Sequence, residues 1–135
     1  MTKGEFYSGE GVPNEEIERL KNFAYPNQVS AQILGNMDIS GKIVADIGSG
    51  PNPELGEFIL SKKGRYVPVD LRPEMLEELK ESLESGEDFY GVIADVKQLP
   101  FANSSVDIAH QRFVLMHLSE EGRLKAINEL SRITS

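Results

Sequence analysis

One short stretch, Lys42 to Pro53, constrains the fold more than any other part of the chain. It reads KIVADIGSGPNP, an apolar run from Ile43 to Ile47 that breaks into a Gly-x-Gly turn. Such a run favours a buried strand, and the two glycines permit a tight turn and a close approach of the backbone to a ligand. A strand, a glycine turn and a helix in this order are typical of α/β proteins that hold a nucleotide at the N-terminus of that helix.

The rest of the sequence alternates predicted strands with predicted helices. Further strands are predicted at 65–69, 89–94 and 106–110. The segments between the first three strands, and the segment after the fourth, carry apolar residues at helical spacing, whereas residues 96–105, with Pro100, are expected to form a loop. The apolar residues that we expect to face the sheet are Leu55, Phe58, Ile59, Met75, Leu76, Leu79, Leu83, Leu124, Ile127, Leu130 and Ile133. This alternation predicts an α/β fold with parallel strands and right-handed crossovers.

Two short helices are predicted before the first strand, at 15–23 and 27–37, with Asn27 as the cap of the second. The second helix is expected to present one apolar face, made of Val29, Ile33, Leu34 and Met37. Four aromatic residues of this region either close over a bound ligand or simply pack: Phe6, Tyr7, Phe23 and Tyr25. We expect residues 1–40 to form a helical cover and residues 41–135 the core, within one compact domain.

Charge and composition argue against several classes of function. The chain has 14 basic and 22 acidic residues, a net charge of −8, and no strong basic block, so a nucleic-acid partner is not expected. There is no cysteine and there are two histidines, so neither disulfides nor a metal site is expected. No apolar run reaches the roughly 20 residues of a membrane span. We therefore expect a cytoplasmic protein without a membrane partner.

Three aspartates lie at the carboxyl ends of the first three predicted strands: Asp46, Asp70 and Asp95. In an open parallel sheet the ligand lies beyond these ends, at the point where the strand order reverses. Asp70 comes 20 residues after Gly50, the spacing at which an acidic side chain reaches ribose hydroxyls. A nucleoside-containing ligand is therefore expected at this edge.

The glycine turn departs from the dinucleotide fingerprint, because Pro53 stands where the third glycine belongs. A dinucleotide-dependent oxidoreductase is disfavoured for that reason. The turn instead resembles the first motif of class I S-adenosylmethionine-dependent methyltransferases, acidic-x-Gly-x-Gly-x-Gly. Asp46, Gly48 and Gly50 match this motif, and Asn52 replaces its last glycine. We expect Asn52 to preserve the turn, because asparagine tolerates a positive φ better than most residues.

The resemblance extends over residues 14–133 and includes Ala94-Asp95-Val96 and the segment LPFANSSVDIA. It implies a Rossmann-like three-layer sandwich, with a parallel sheet in the order 3-2-1-4. It also implies a site for S-adenosylmethionine, with S-adenosylhomocysteine as product. In that site Gly48, Ser49 and Gly50 would line the methionine portion, Asp70 the ribose, Asp95, Val96 and Leu71 the adenine, and Asp46 would lie near the amino group.

The family places its acceptor just after the fourth strand, where this chain has His110, Gln111 and Arg112. His110 is a candidate general base, and Arg112 is a candidate anchor for an acceptor carboxylate. The alternative for His110 is a strand-end histidine bonded to the backbone. His117 is expected to be structural.

The family's sheet has seven strands, whereas this sequence supplies four predicted ones. We therefore expect a truncated core in which the fourth strand has an unpaired edge. A second copy, a different chain or a rearranged N-terminus would cover that edge. Two functions remain open: a methyltransferase acting on a small molecule, which self-association or a partner completes, and a non-catalytic S-adenosylmethionine-binding subunit of a split methyltransferase.

Overall fold

The apolar run before the glycine turn forms the central strand of a parallel sheet. A computed structural model describes residues 12–22, 24–83 and 89–135 and gives the backbone alone for residues 24–27. Its strands are β1 (Ile43–Ile47), β2 (Arg65–Asp70), β3 (Val92–Ile93) and β4 (Ile108–Gln111). The strand order is β3-β2-β1-β4, which confirms the predicted order 3-2-1-4.

Helices separate the first strand from the second and the second from the third, whereas residues 94–107, between β3 and β4, contain no helix. The α-helices of the described residues are α1 (Asn14–Lys21), α2 (Ala24–Gly35), α3 (Glu54–Ser61), α4 (Pro73–Ser82) and α5 (Glu120–Ile133). A 3-10 turn, Leu115–His117, precedes α5. None of the helices in these ranges is long and apolar enough to span a bilayer.

The two faces of the sheet bury two separate apolar clusters. Side chains alternate along a strand, so that Val44 and Tyr66 face one side while Ala45 and Ile47 face the other. Residues of α2, α3 and α4 cover the first side, and residues of α5 cover the second. The three-layer α/β arrangement is therefore confirmed.

The outer strands differ from their predicted bounds. β3 is limited to Val92–Ile93, because it pairs only with the last two residues of β2. β4 begins two residues later than predicted, since Val106 bridges to Thr134 rather than to β1. Both differences reflect pairing partners that are far apart in the sequence.

Helix α2 begins earlier than predicted and buries a different face. It runs over Ala24–Gly35, so Pro26 lies in its first turn, where a missing N–H removes no helical hydrogen bond. Ser30 and Leu34 point inward, whereas Val29, Ile33 and Met37 are exposed. The predicted apolar face was therefore wrong except at Leu34.

Helix α5 also turns a different face to the sheet. Ser119 caps the helix by accepting a hydrogen bond from the backbone of Gly122 at 3.0 Å. Gly122, Ala126 and Ile133 are the buried positions. Leu124 and Ile127 are 60% and 51% exposed, so the expectation that they belong to the core was wrong.

The predicted cover of aromatic residues falls largely outside the described part of the chain. The residues outside the described part are Phe6, Tyr7 and Phe23, together with the side chain of Tyr25. The described helix α1 packs through Ile17 against Met75 of α4, in a cluster that also contains Val12.

Candidate functional site

A cavity of about 640 Å³ lies beyond the carboxyl ends of β1 and β2. Most of the candidate site residues line it together: Gly48, Ser49, Gly50, Asp70, Leu71, Asp95, Val96 and Arg112. Asp46 and His110 are not among the lining residues and belong to a buried network described below. Helix α1 adds Arg19 and Leu20 to the wall.

The floor of the cavity is the glycine turn, whose backbone is held against β2. The N–H groups of Gly48 and Ser49 both donate to the carbonyl of Val69, at 2.7 and 3.0 Å. Gly48 and Gly50 have φ values of +70° and +63°, where glycine alone avoids strain. A Cβ on Gly48 would overlap Cγ2 of Val114, whereas a Cβ on Gly50 would meet nothing within 4 Å. The turn is therefore shaped as a cradle.

Asp70 closes the cradle from the end of β2. Its Oδ2 accepts from the backbone N–H of Gly50 at 3.0 Å, and its Oδ1 accepts from the N–H of Arg72 at 2.9 Å. Burial raises the pKa of Asp70 from 3.8 to about 6, although these two hydrogen bonds act in the opposite direction. Each carboxylate oxygen keeps a further lone pair with which it can accept a hydrogen bond from a ligand hydroxyl.

Asn52 stabilises the turn differently from the sequence-based expectation. It does not adopt a positive φ, so that expectation was wrong. Its side chain works instead: Nδ2 donates to the carbonyl of Lys21 at 2.8 Å, and Oδ1 accepts from the N–H of Glu54 at 2.9 Å. Asn52 thus ties the end of α1 to the start of α3. The bond from Glu54 could have been predicted, because an Asn just before a helix commonly accepts from a backbone N–H of its first turn.

Asp95 lies in a turn just after β3, on the side of the cavity expected to hold adenine. Its Oδ1 accepts from the N–H of Lys97 at 2.9 Å, and its carbonyl accepts from the N–H of Gln98 at 2.9 Å. The Lys97 ammonium is 3.5 Å from Oδ2. The side chain is thereby oriented by its own turn.

Arg132 fixes the loop that follows Asp95, a role that was not predicted from the sequence. Its guanidinium donates to the carbonyls of Leu99 and Phe101, at 3.0 and 2.7 Å, and to Glu129 of the same helix at 2.7 and 2.9 Å. Glu129 in turn accepts from the N–H of Leu99 at 2.7 Å. Hydrogen bonding to Arg132 lowers the pKa of Glu129 and raises the pKa of Arg132. An Arg–Glu pair at helical spacing does not by itself reveal contacts with a loop 30 residues away.

Beneath the cavity, five side chains form one continuous hydrogen-bonded network. They are Tyr66, Asp46, His110, Ser30 and Arg112. Tyr66 donates to Oδ2 of Asp46 at 2.7 Å, and Nδ1 of His110 is 2.9 Å from Oδ1 of the same carboxylate. The Ser30 hydroxyl is 2.9 Å from Nε2 of His110 and accepts from Arg112 at 2.8 Å.

Tyr66 and Arg112, at the two ends of this network, have pKa values shifted in opposite directions. Burial, reinforced by the Asp46 charge, raises the pKa of Tyr66 well above its ordinary value, so Tyr66 is a permanent donor. Burial lowers the pKa of Arg112, and the attraction of Asp46 opposes that change. Both ring nitrogens of His110 have side-chain partners, rather than the backbone partner considered from the sequence.

The described residues contain no group of three or more His, Asp and Glu side chains that would hold a metal ion. The polar groups that line the cavity suit an organic ligand with hydroxyl groups: a glycine-turn backbone, two carboxylates and two guanidinium groups.

A family model of the methyltransferase domain matches residues 44–135, more than half of the chain. Among curated proteins, an uncharacterised 37.1 kDa protein in transposon TN4556 of Streptomyces fradiae is 28% identical over 127 residues. That match covers 90% of this chain and 36% of the relative, so this chain spans about a third of the relative's length.

Two solved structures resemble the fold. One is a chain of the complex between the Haloferax volcanii Trm112 methyltransferase activator and a methyltransferase, with a TM-score of 0.75 and 20% identity over 98% of this chain and 55% of that chain. The other is a S-adenosylmethionine-dependent methyltransferase from Aquifex aeolicus, with a TM-score of 0.72 and 20% identity over 90% of this chain and 66% of that chain. At such identities the likeness concerns the fold.

Proposed function

This chain belongs to the methyltransferase-domain family, and from that premise we propose that it binds S-adenosylmethionine and takes part in transfer of its methyl group to a small-molecule acceptor. The observation that carries the proposal is the cradle made by the glycine turn and Asp70 at the carboxyl edge of the sheet. The cofactor supplies an activated sulfonium methyl group, so the protein has mainly to bind and align the reactants.

Each candidate cofactor residue has a role that its position supports. The backbone of Gly48, Ser49 and Gly50 is open to the methionine portion of the cofactor. Asp70 accepts from the ribose hydroxyls, while Asp95, Val96 and Leu71 surround the adenine. Asp46 acts from beneath the turn, through the network that it joins, or reaches the amino group through water.

On the acceptor side, Arg112 is the group that lines the cavity, and a guanidinium suits a carboxylate or another anionic group of the acceptor. His110 lies below it with both ring nitrogens engaged. We therefore propose Arg112 as the acceptor anchor. His110 serves as a general base only for an acceptor that displaces Ser30 from Nε2.

A specific surface supports completion of the methyltransferase site by self-association or by a partner. Among the described strands, β4 pairs with β1 alone, which leaves its outer edge available. Leu124 and Ile127 of α5 add exposed apolar side chains. We propose that this region contacts a second copy of the chain or another polypeptide, and that the contact completes the acceptor site. The complex with an activator described above is a property of the Haloferax protein and serves here as a precedent.

Isothermal titration of the chain with S-adenosylmethionine and S-adenosylhomocysteine tests the cofactor site. Asp70→Ala should weaken binding by about tenfold or more, since a hydrogen bond to a charged group contributes about 1.5–3 kcal/mol. Glu77→Ala, at an exposed acidic residue on the next helix outside the cavity wall, is the matched control. A folded wild-type chain that binds neither ligand would overturn the proposal.

A further inference from the structure

We infer that Ser30, on the N-terminal helix α2, is a positioning residue of the acceptor site: it holds the Arg112 guanidinium in place and fixes the hydrogen-bond direction of His110. The inference rests on the proposed function, because it concerns the acceptor side of the same cavity. Ser30 is 5% exposed and is absent from the cavity wall, so it acts through its neighbours rather than on a ligand.

With a neutral His110 ring, the donors and acceptors of the network fit one arrangement. An ionised Asp46 can only accept, and it receives one bond from Tyr66 and one from Nδ1–H of His110. In the neutral imidazole Nε2 is then an acceptor, and the Ser30 hydroxyl is the donor that faces it. The lone pairs of that hydroxyl are free to accept from Arg112, as observed. Every bond therefore runs from donor to acceptor without conflict.

Ser30 is the link between the sheet and the cavity in this arrangement. Of the five side chains, Arg112 alone lines the cavity. Tyr66, Asp46 and His110 come from three adjacent strands, β2, β1 and β4, and Asp46 and His110 are paired in register. Removal of the Ser30 hydroxyl would leave Nε2 without its donor and deprive Arg112 of a bond that orients it. Helix α2 thus supports the acceptor site without lining the cavity.

The order Asp46–His110–Ser30 resembles that of a hydrolase triad, but the geometry argues against a nucleophilic serine. A nucleophile must reach its substrate, and Ser30 is buried beneath the cavity floor. Its oxygen also accepts from a cation, which makes it less nucleophilic. A structural and orienting role is what remains.

The test is proton-detected ¹⁵N spectroscopy of the full chain saturated with S-adenosylhomocysteine, comparing wild type, Ser30→Ala and Ser30→Thr. The chain has two histidines, so His117 is an internal reference for His110. We expect an Nδ1-protonated ring with a hydrogen-bonded Nε2 in wild type and Ser30→Thr. In Ser30→Ala the Nε2 resonance should move downfield, and the signal of the Arg112 Nη1 group, which donates to Ser30 in wild type, should shift.

Three controls make the result decisive. Ser40→Ala, at an exposed serine, should leave both sets of signals unchanged. Thermal melting establishes that each variant is folded, and Ser30→Cys replaces Ser30→Thr if the added methyl group is not accommodated. The affinity for S-adenosylhomocysteine should stay within about twofold across the set, because Ser30 does not line the cavity. Unchanged His110 and Arg112 signals in Ser30→Ala would overturn the inference. A wild-type chain that fails to bind S-adenosylhomocysteine would instead overturn the proposed function, and the effect of Ser30→Ala on the ring signals would still test the role of Ser30.

Discussion

At Asp70, burial works against the ionised form that a ribose ligand needs. The pKa of this carboxyl is raised to about 6 in the folded chain, mainly by burial, while its ordinary value is 3.8. A rise of about two pKa units on folding corresponds to about 3 kcal/mol. The contribution of Asp70 to the free energy of unfolding is complete below its ordinary pKa and is lost as the pH rises through about 6. The empty site is therefore destabilised at neutral pH.

The same pKa makes cofactor binding dependent on pH. A ligand that donates to the Asp70 carboxylate favours the ionised form, so the dissociation constant of S-adenosylhomocysteine should increase as the pH falls from 7.5 to 5. The increase should approach about tenfold per pH unit below pH 6. Isothermal titration across this range measures it. Asp70→Asn, which cannot ionise, should show a flat profile, and a flat wild-type profile would contradict the prediction.

Gly48 and Gly50 share a positive φ but differ in their surroundings, which allows a paired test. Alanine at either position incurs backbone strain of about 1–2 kcal/mol. At Gly48 the new methyl group would also overlap Val114, whereas at Gly50 it would meet nothing within 4 Å. Gly48→Ala should therefore lower the free energy of unfolding by about 1–3 kcal/mol more than Gly50→Ala does. Chemical denaturation of both variants measures the difference, and equal losses would show that the overlap is relieved by movement of Val114.

At the scale of elements, Asn52 joins α1, the glycine turn and α3 through the two ends of one amide. Asn52→Asp keeps an oxygen facing the N–H of Glu54 but replaces the donor to Lys21. We expect α3 to be retained while α1 becomes easier to open. Hydrogen exchange should show faster exchange in residues 14–21 and unchanged exchange in residues 54–61. Protection lost equally from both helices would contradict this separation of roles.

Helices and strands are predicted well from the sequence where a local pattern determines them. They are predicted poorly where their bounds depend on which strands pair. The meeting of Gly48, Asp70 and Asp95 at one cavity follows from the carboxyl-end rule, whereas the strand order was implied by the resemblance to class I methyltransferases. The two-residue length of β3 does not follow, because it depends on how much of β2 remains available as a partner.

Helix faces and long-range side-chain contacts were the other source of error. Leu124 and Ile127 have helical spacing, yet the buried positions of α5 are Gly122, Ala126 and Ile133. The contacts of Arg132 with the Asp95 loop and of Ser30 with His110 join residues 30 to 80 positions apart. No periodic pattern encodes such contacts, so hydrogen-bond partners of this kind require the folded structure.

For the whole molecule, the exposed apolar residues of α5 and the outer edge of β4 together predict association. Leu124 and Ile127 are more than half exposed, and burial of side chains of this kind contributes about 1.5–3 kcal/mol each. We expect the chain to sediment as a dimer at micromolar concentration, and Leu124→Lys with Ile127→Lys to convert it to a monomer of 15.0 kDa. Sedimentation velocity measures this.

The control for association is Lys125→Ala, at an exposed residue of the same helix that pairs with Glu121. It removes a surface ion pair of little energetic weight and should leave the sedimentation coefficient unchanged. A wild-type chain that stays monomeric at the highest concentration would contradict self-association and favour a different polypeptide as the partner.

The Asn52 side chain has a further property that its neighbour in the sequence determines. Asparagine loses its side-chain amide spontaneously when the backbone nitrogen of the next residue attacks the amide carbon. Here the next residue is Pro53, which has no N–H with which to close that ring. Loss of the amide would convert the donor to Lys21 into an oxygen and break the tie to α1. The Asn-Pro order therefore protects this contact from loss of the amide by this reaction.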